Sequence, residues 1–387
     1  MAVFLLVFIG ASALILLIHL ALSAGIIRSM LAEGRRGRAA RAGQGRAGGP
    51  PPVAEIIVAL RDEEATLPAL LGSLRAQTAA DCLFLLVDDR SVDGTARLLD
   101  EFSASVGPRA RVIHNREEPA GLTGKQAALD LAFAQAKGEI LVFTDGDCIM
   151  PPTWVEELAG HFDDPKVGVV LGRIELPEGR GFLARFQAFE QPLINQYNFG
   201  AAGIGMPMGC FGNNMAARAK AVEEIGGFRS LGYAVTEDAR LLEALSRQGG
   251  WQGRVCTSAR AAAVTSAKTS WRAYCTQHVR WNSGALFATD PVSRLFYWFV
   301  VLIYLVGSLV VLPLGILDWR VPIVSLNAFL SIGLLAILGG AYEGKKRARY
   351  YLRLLPHLFF FGFFYSFITV RAAFKRPIDW KGTSLRP

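Results

Sequence analysis

The sequence predicts an α/β domain with a parallel sheet, held between one N-terminal and about three C-terminal membrane helices. Between residues 53 and 290, short apolar runs alternate with amphipathic stretches, a pattern typical of alternating strands and helices. Before and after this region, long stretches carry almost no charge. The whole chain is 52% hydrophobic and 19% charged, which excludes a disordered chain and indicates lipid-facing segments.

The first element is the uncharged stretch Ala2–Ile27, which predicts a membrane helix over residues 1–27. At about 1.5 Å per residue it is long enough to cross a hydrocarbon core of about 30 Å. A cleaved signal peptide is the alternative, but the stretch has no basic start and exceeds the usual apolar length of about 7–15 residues. We therefore expect a retained anchor.

Residues 28–52 predict a basic linker, because they are rich in arginine, glycine and alanine and lack apolar periodicity. Six arginines and one acid lie between residues 28 and 46, so this segment accounts for most of the net charge of +8. A basic segment beside a membrane helix follows the positive-inside rule, which predicts a cytoplasmic domain and no nucleic-acid partner.

Residues 53–290 contain five predicted strands, each a short apolar run. The predicted strands are Ile56–Leu60, Leu83–Val87, Arg111–His114, Ile140–Phe143 and Val167–Leu171. Amphipathic stretches between them have helical spacing. The predicted helices are Glu63–Ala76, Thr95–Ser103, Lys125–Ala136 and Trp154–Phe162. A parallel sheet binds ligands at the carboxyl ends of its strands, where the functional residues are therefore expected.

Two further stretches, Phe182–Phe199 and Trp271–Trp281, have aromatic residues at helical spacing. Each predicts either an amphipathic helix on the membrane surface or an ordinary core helix. The five cysteines are odd in number, scattered, and form no C-x-x-C pair. They predict neither a disulfide framework nor a thiolate zinc site, and favour a reducing location.

Residues 291–373 predict a C-terminal membrane region of three segments, Phe296–Leu317, Val321–Tyr342 and Leu354–Val370. The last is short and contains Pro356, so it is predicted to be re-entrant or interfacial. The tail, residues 374–387, is basic and is therefore predicted to be cytoplasmic.

Carboxylates follow two of the predicted strands directly. Asp88 and Asp89 end the second strand, and Asp145 and Asp147 follow the fourth, so both pairs are expected at one edge of the sheet. Carboxylates that are packed together repel one another, and a hard divalent cation with oxygen ligands offsets this repulsion. A polar turn is the alternative, but two such pairs at one edge favour a metal and phosphate site.

Two downstream motifs complete the pattern, Thr236-Glu237-Asp238 and Gln277-His278-Val279-Arg280-Trp281. With D-D, D-x-D, T-E-D and Q-x-x-R-W in this order, residues 53–290 resemble the membrane-embedded branch of the family-2 glycosyltransferases. The resemblance implies a GT-A nucleotide-sugar-binding fold, a UDP-sugar donor, a Mn or Mg ion and inversion at the anomeric carbon.

On the donor side, the resemblance implies that Asp89 contacts the uracil, Asp145 the ribose and the metal, and Asp147 the metal. Lys125 lies near the donor phosphates or, alternatively, in a solvated helix start. The segment Asp62-Glu63-Glu64 stands where relatives commonly carry Asn-Glu-Glu, so Asp62 and Glu63 are predicted to bind substrate. Asp62 in place of Asn lacks the amide that would donate a hydrogen bond.

On the acceptor side, the resemblance implies that Asp238 is the general base, beside Glu237 of the same motif. Arg280 pairs with the diphosphate, and Gln277 and Trp281 contact substrate, although Trp281 is alternatively a membrane-interface aromatic. The chemistry agrees: a departing diphosphate gains negative charge, which a cation and a guanidinium stabilise, and an attacking hydroxyl must lose a proton.

The sequence therefore predicts an integral membrane protein, in the inner membrane if bacterial, that moves a hexose from a UDP-sugar to the hydroxyl of a membrane lipid or lipid-linked acceptor. A processive polysaccharide synthase is the alternative, since it shares the Q-x-x-R-W motif. A transporter or a catalytically inactive membrane binding protein is the alternative of another class. Membrane segments without acidic residues argue against ion-coupled transport.

Overall fold

The computed structural model describes residues 2–41, 52–117, 122, 124–209, 212–286, 291, 294–295, 297–298, 330, 333–335, 337–338, 354–374, 377–380 and 383–385. The helices in these ranges are α1 (Ala2–Arg41), α2 (Leu67–Arg75), α3 (Thr95–Val106), α4 (Gly124–Phe133), α5 (Trp154–Ala159), α6 (Phe182–Gly203), α7 (Ala219–Glu224), α8 (Glu237–Glu243), α9 (Trp271–Leu286) and α10 (Leu354–Ala373). The strands are β1 (Ala54–Leu60), β2 (Leu83–Asp89), β3 (Ala110–Asn115), β4 (Ile140–Thr144), β5 (Cys148–Ile149), β6 (Val167–Leu171), β7 (Ile174–Glu175), β8 (Met215–Arg218), β9 (Gln252–Val255), β10 (Ala263–Thr265), β11 (Ile378–Trp380) and β12 (Thr383–Leu385).

The main sheet has seven strands in the order β3-β2-β1-β4-β8-β6-β9. All five predicted strands are present, and the α/β prediction is confirmed. The sheet is mixed rather than wholly parallel, because β8 runs antiparallel to both β4 and β6. The prediction missed β8 because its four residues, Met-Ala-Ala-Arg, carry too little apolar patterning to predict a strand.

The predicted helices are also present, with different ends. The helix predicted from Glu63 begins at Leu67, because Glu63 to Thr66 form a turn in which the Glu63 carbonyl accepts hydrogen bonds from the amides of Thr66 and Leu67. The helix predicted to end at Phe162 stops at Ala159 and continues as a 3-10 turn, Gly160–Asp163.

The register of the sheet brings the predicted carboxylates together. Leu60 of β1 pairs with Asp88 of β2, and Val58 of β1 pairs with Thr144 of β4. The acidic ends of β2 and β4 therefore flank the end of β1, as predicted. The chain order reverses at β1, which makes this edge the switch point where α/β sheets bind ligands.

Helix α1 runs well beyond Ile27 and ends at Arg41, so the segment predicted as a linker begins as helix. Alanine, arginine, leucine and glutamate all favour helix. Arg36 also anchors this end, since its Nη2 lies 3.0 Å from Glu33 Oε1 and 3.2 Å from Glu157 Oε2. Within the described residues, one helix stretch, Ala13–Arg38, is long and apolar enough to cross a membrane.

The predicted segments Phe296–Leu317 and Val321–Tyr342 lie outside the described residues, apart from a few helical positions. The segment predicted as Leu354–Val370 forms helix α10, which packs against α9 and contacts α6. Helix α6 is a core helix rather than a surface helix, because Phe186 and Leu193 are completely buried. It packs along α1.

Helices α1 and α6 cross at glycines. A Cβ added at Gly200 would lie 2.6 Å from the carbonyl oxygen of Leu22, and one added at Gly203 would overlap the carbonyl oxygen of Gly25. The two backbones therefore approach too closely for any side chain at these positions.

We expect Gly200→Ala to destabilise the fold by about 1–3 kcal/mol, because the added methyl must push the two helices apart. Gly72→Ala in α2 is the matched control, since a Cβ there meets nothing within 4 Å. Thermal unfolding of both variants in detergent tests this expectation. Equal melting temperatures for the two variants would contradict the close helix crossing.

Candidate active site

A cavity of about 810 Å³ opens at the carboxyl ends of β1, β2 and β4. All predicted site residues except Asp62 line it. Those that line it are Glu63, Asp89, Lys125, Asp145, Asp147, Glu237, Asp238, Gln277, Arg280 and Trp281. This volume is in the range of small-molecule sites. Residues separated by more than 200 positions in the sequence therefore share one wall of polar groups.

Lys125, near the start of α4, joins two of the acidic motifs. Its Nζ lies 2.6 Å from Asp145 Oδ1 and 3.1 Å from Glu237 Oε1. Burial alone lowers the pKa of Lys125, but the charges of Asp145, Glu237 and Asp238 together raise it above its ordinary value. The ammonium group is therefore a fixed positive charge in the cavity, not a solvated helix start.

Asp238 lies near the start of α8 with both carboxylate oxygens held. Oδ2 accepts a hydrogen bond of 2.7 Å from the amide of Gly212, and Oδ1 accepts one of 2.9 Å from the amide of Ala239. Burial and the neighbouring Glu237 raise the pKa of Asp238, and the opposing effects of Lys125, the Gly212 amide and Arg280 do not reverse this. A raised pKa brings a carboxylate closer to what a general base near neutral pH requires.

Gly212 lies in the sequence Gly-Cys-Phe-Gly-Asn-Asn at residues 209–214, of which Cys210 and Phe211 lie outside the described residues. A Cβ at Gly212 would lie 3.1 Å from Lys125 Nζ and 3.2 Å from Asp238 Oδ2. The glycine therefore lets the backbone approach the candidate base closely enough to hydrogen-bond it.

Asp145 and Asp147 project from the turn between β4 and β5. Asp145 is held by Lys125, and Asp147 Oδ2 lies 3.7 Å from Lys268 Nζ. Gly146 between them packs on Glu63, since a Cβ there would lie 2.7 Å from Glu63 Cγ. Two partly exposed carboxylates at a cavity wall offer the oxygen ligands that Mg²⁺ and Mn²⁺ prefer, so the donor set fits such an ion.

Asp89 is buried, and its carboxylate already has partners. Oδ1 accepts hydrogen bonds from Asn115 Nδ2 at 2.7 Å and Arg90 Nε at 3.0 Å, and Oδ2 accepts one from Arg90 Nη2 at 3.1 Å. If Asp89 contacts the uracil of a bound nucleotide, its carboxylate must do so while it keeps or exchanges these hydrogen bonds. Arg90 itself has a positive φ of 59°.

Asp62 is the predicted residue that the structure does not bring into the cavity lining. Its Oδ1 accepts a hydrogen bond of 2.9 Å from the amide of Val92, and its own amide donates to Ser91 Oγ at 3.0 Å. These bonds join the loops after β1 and β2. Linking the two loops requires a hydrogen-bond acceptor at residue 62. A carboxylate provides this acceptor without the NH2 group of Asn.

Sequence reasoning missed a buried network that fixes helix α9. Glu190 of α6 accepts a short hydrogen bond from the Tyr274 hydroxyl, and its Oε1 lies 3.1 Å from His278 Nε2. The His278 ring in turn packs 4.9 Å from the ring of Trp281. The sequence signal for this network was Glu190 itself, a charged residue on the apolar face of α6, because a buried carboxylate needs hydrogen-bond partners.

We expect Glu190→Gln to lower kcat about tenfold, because weakening a hydrogen bond to a charged group costs about 1.5–3 kcal/mol and loosens the helix that carries Arg280. The acceptor and donor KM should change less. Glu224→Gln is the control, since that exposed carboxylate contacts Trp251 outside the cavity. A Glu190→Gln enzyme with normal kcat would contradict a positioning role.

The cavity continues from the carboxylates to the C-terminal helix α10. Phe361, Tyr365, Ser366 and Thr369 of α10 line this end. Thr369 Oγ1 also lies 3.4 Å from Asn282 Oδ1 of α9, which joins the two helices. One cavity thus has an acidic end at the sheet and an aromatic end at the apolar helix.

Acidic strand ends around a cavity at the switch point of an α/β sheet are where proteins of this fold class bind their ligands. Residues 55–226 match the family described as Glycosyl transferase family 2. This part of the chain is a family-2 glycosyltransferase domain with a GT-A fold.

Two curated relatives have matching sequences. The chain is 25% identical over 321 residues to a beta-monoglucosyldiacylglycerol synthase of Synechocystis sp., covering 77% of this chain and 64% of the relative. It is 34% identical over 123 residues to an undecaprenyl-phosphate 4-deoxy-4-formamido-L-arabinose transferase of Pseudomonas fluorescens, covering 30% of this chain and 35% of the relative. The matches thus span less than two thirds of either relative.

Among solved structures, the mannosyltransferase PcManGT of Pyrobaculum calidifontis, in complex with GDP-Man and Mn²⁺, has a similar fold. The TM-score is 0.54 at 18% identity, covering 94% of this chain and 99% of that one. At this identity the similarity establishes the fold.

Proposed function

We propose that this protein is a metal-dependent, inverting glycosyltransferase that moves a hexose from a UDP-sugar to the hydroxyl of a membrane lipid or lipid-linked acceptor. The observation that carries the proposal is the single cavity joining the acidic sheet edge to the apolar helix α10. A charged donor suits the first end and an amphiphilic acceptor suits the second.

The relatives support a lipid acceptor. One is named as a synthase of a glucosyldiacylglycerol and the other as a transferase acting on undecaprenyl phosphate. The two lipids in these names differ in chemistry, but each name contains a lipid. The mannosyltransferase of similar fold was solved with a nucleotide sugar and Mn²⁺, which supports a nucleotide-sugar donor and a divalent cation.

The proposed reaction is a single displacement at the anomeric carbon. The acceptor hydroxyl oxygen forms the new bond, the bond from the anomeric carbon to the diphosphate breaks, and the hydroxyl proton passes to Asp238. Arg280 and Asp238 line the same cavity, and the charge of Arg280 opposes the rise in the pKa of that carboxyl. Arg280 and the fixed ammonium of Lys125 then stabilise the departing diphosphate.

Asp145 and Asp147 would hold the divalent cation. When bound, the cation neutralises charge that develops on the leaving diphosphate. The chain itself orients these carboxylates through Lys125 and Lys268. One carboxylate base suffices for inversion, since single displacement needs no covalent intermediate.

Transfer from radiolabelled UDP-hexoses, with Mn²⁺, to the lipids of defined nanodiscs tests the proposal. The full chain should give a labelled glycolipid that migrates as a single species on thin-layer plates, and its mass should exceed that of the acceptor by one hexose. The Asp238→Asn protein is the control. Labelled long polymer would favour the processive synthase, and no transfer from any UDP-hexose would overturn the proposed donor.

A further inference from the structure

A second group of polar side chains lies where the end of α1 meets the catalytic domain. It consists of Glu33 on α1, His161 in the 3-10 turn after α5, and Cys256 just after β9. One ligand atom of each lies within 4.8 Å of the others. The exposed fractions of His161 and Cys256 are 5% and 0%, so the group is shielded from solvent. None of the three lines the catalytic cavity.

Two atoms of this group are buried without a satisfied hydrogen bond. Glu33 Oε2 and His161 Nε2 lie 3.1 Å apart as a buried pair, and their geometry does not make a well-aligned hydrogen bond. A buried polar atom left in this state costs about 1–3 kcal/mol and calls for an explanation such as a bound ion. The third ligand atom, the Cys256 sulfur, completes a triangle around the same point.

The surrounding charges permit a cation here. Arg36 binds the other oxygen of Glu33, Oε1, and is also balanced by Glu157 at 3.2 Å. Arg254, whose charge also acts on His161, is paired with Asp164. Oε2 of Glu33 is therefore not used by Arg36, and a cation would bind between this oxygen and the His161 Nε2 that it faces. A divalent cation would be neutralised by one carboxylate and one thiolate.

We propose that Glu33, His161 and Cys256 form a zinc site that fastens the end of α1 to the catalytic domain. Imidazole nitrogen, thiolate sulfur and carboxylate oxygen are the three ligand types of protein zinc, with bonds of about 2.0–2.3 Å. Three protein ligands leave one tetrahedral position for water. The site is distinct from Asp145 and Asp147, whose oxygen-only set suits a harder ion.

The protonation states agree with this assignment. Burial lowers the pKa of His161, which keeps the imidazole neutral and able to bind a metal at neutral pH. Burial also raises the pKa of the Cys256 thiol, so zinc must displace the thiol proton to solvent on binding. Zinc affinity should therefore weaken as the pH falls.

Metal analysis of the full chain, purified in detergent without a histidine tag and reloaded with Zn²⁺, tests the site. We expect near-stoichiometric zinc in the wild type and its loss in Cys256→Ser and His161→Gln. The buried thiol variant Cys82→Ser and the catalytic-site variant Asp147→Asn should keep their zinc. Loss of zinc from Asp147→Asn would place the ion in the catalytic cavity and overturn the proposal.

A measurement on the wild type alone covers the case in which the variants fail to fold. Co²⁺ in place of Zn²⁺ should give a thiolate-to-metal charge-transfer band, and Zn²⁺ should protect Cys256 from alkylation in mass spectrometry. Added Zn²⁺ should also raise the melting temperature after chelation. No charge-transfer band and no protection would overturn the site. These readouts do not require glycosyl transfer.

Discussion

Asp238→Asn should lower kcat by about 10²–10⁴-fold while leaving donor affinity close to wild type, because it removes only the proton acceptor. The amide of Asn can still accept the hydrogen bond from the Gly212 amide, which holds Asp238 Oδ2 at 2.7 Å. The link to the Gly212 turn is thus preserved, whereas the hydrogen bond that the Ala239 amide donates to Oδ1 is lost, because Asn has a single acceptor oxygen. What is lost is the carboxylate that takes the proton of the acceptor hydroxyl.

Transfer assays measure kcat, and calorimetry with UDP and Mn²⁺ measures donor-side affinity. Asp100→Asn is the control, because that exposed carboxylate pairs with His114 away from the cavity. A loss of UDP affinity in Asp238→Asn as large as that in Asp147→Asn would contradict the division of roles between the two aspartates.

The pH dependence of kcat gives a further test of Asp238 as the base. Burial raises the pKa of Asp238, so the base becomes protonated, and activity falls, at a higher pH than for an ordinary aspartate. Lys125 opposes this shift, so Lys125→Met should move the acidic limb of kcat to still higher pH. A limb that moved to lower pH in Lys125→Met would contradict the electrostatic coupling.

Asp147→Asn should abolish measurable transfer and weaken Mn²⁺-dependent binding of UDP, because the charge that holds the cation is lost. Binding of UDP without Mn²⁺ should change little. The variant also frees Lys268, whose Nζ lies 3.7 Å from Asp147 Oδ2. Lys268 cannot replace the ion, since an ammonium group donates hydrogen bonds and does not coordinate diphosphate and carboxylate together.

Calorimetric titration of UDP with and without Mn²⁺ measures this difference directly, and Asp100→Asn again serves as the control. The zinc content of the variant serves as an internal control, since Asp147→Asn should retain zinc at the proposed site while its UDP binding no longer depends on Mn²⁺. Unchanged Mn²⁺-dependent UDP affinity in Asp147→Asn would remove Asp147 from the metal site.

The sequence by itself determined the parts of this protein that depend on local patterns. Apolar runs predicted the five strands, and helical spacing predicted α3, α4 and α9. Placing Asp89 and Asp145 directly after strands was enough to predict one acidic edge, because neighbouring parallel strands end at the same side of a sheet. The four ordered motifs then predicted a family-2 glycosyltransferase domain, which the family match to residues 55–226 confirms.

Only the tertiary structure decided the contacts that join distant segments. Lys125 lies between Asp145 and Glu237, Glu190 accepts from Tyr274, and Glu33 faces His161 across more than 100 residues of chain. No local pattern encodes such pairs. The partners of these residues depend on the order of the strands in the sheet and on how closely two helices approach. Both are properties of the packed core and not of any one segment.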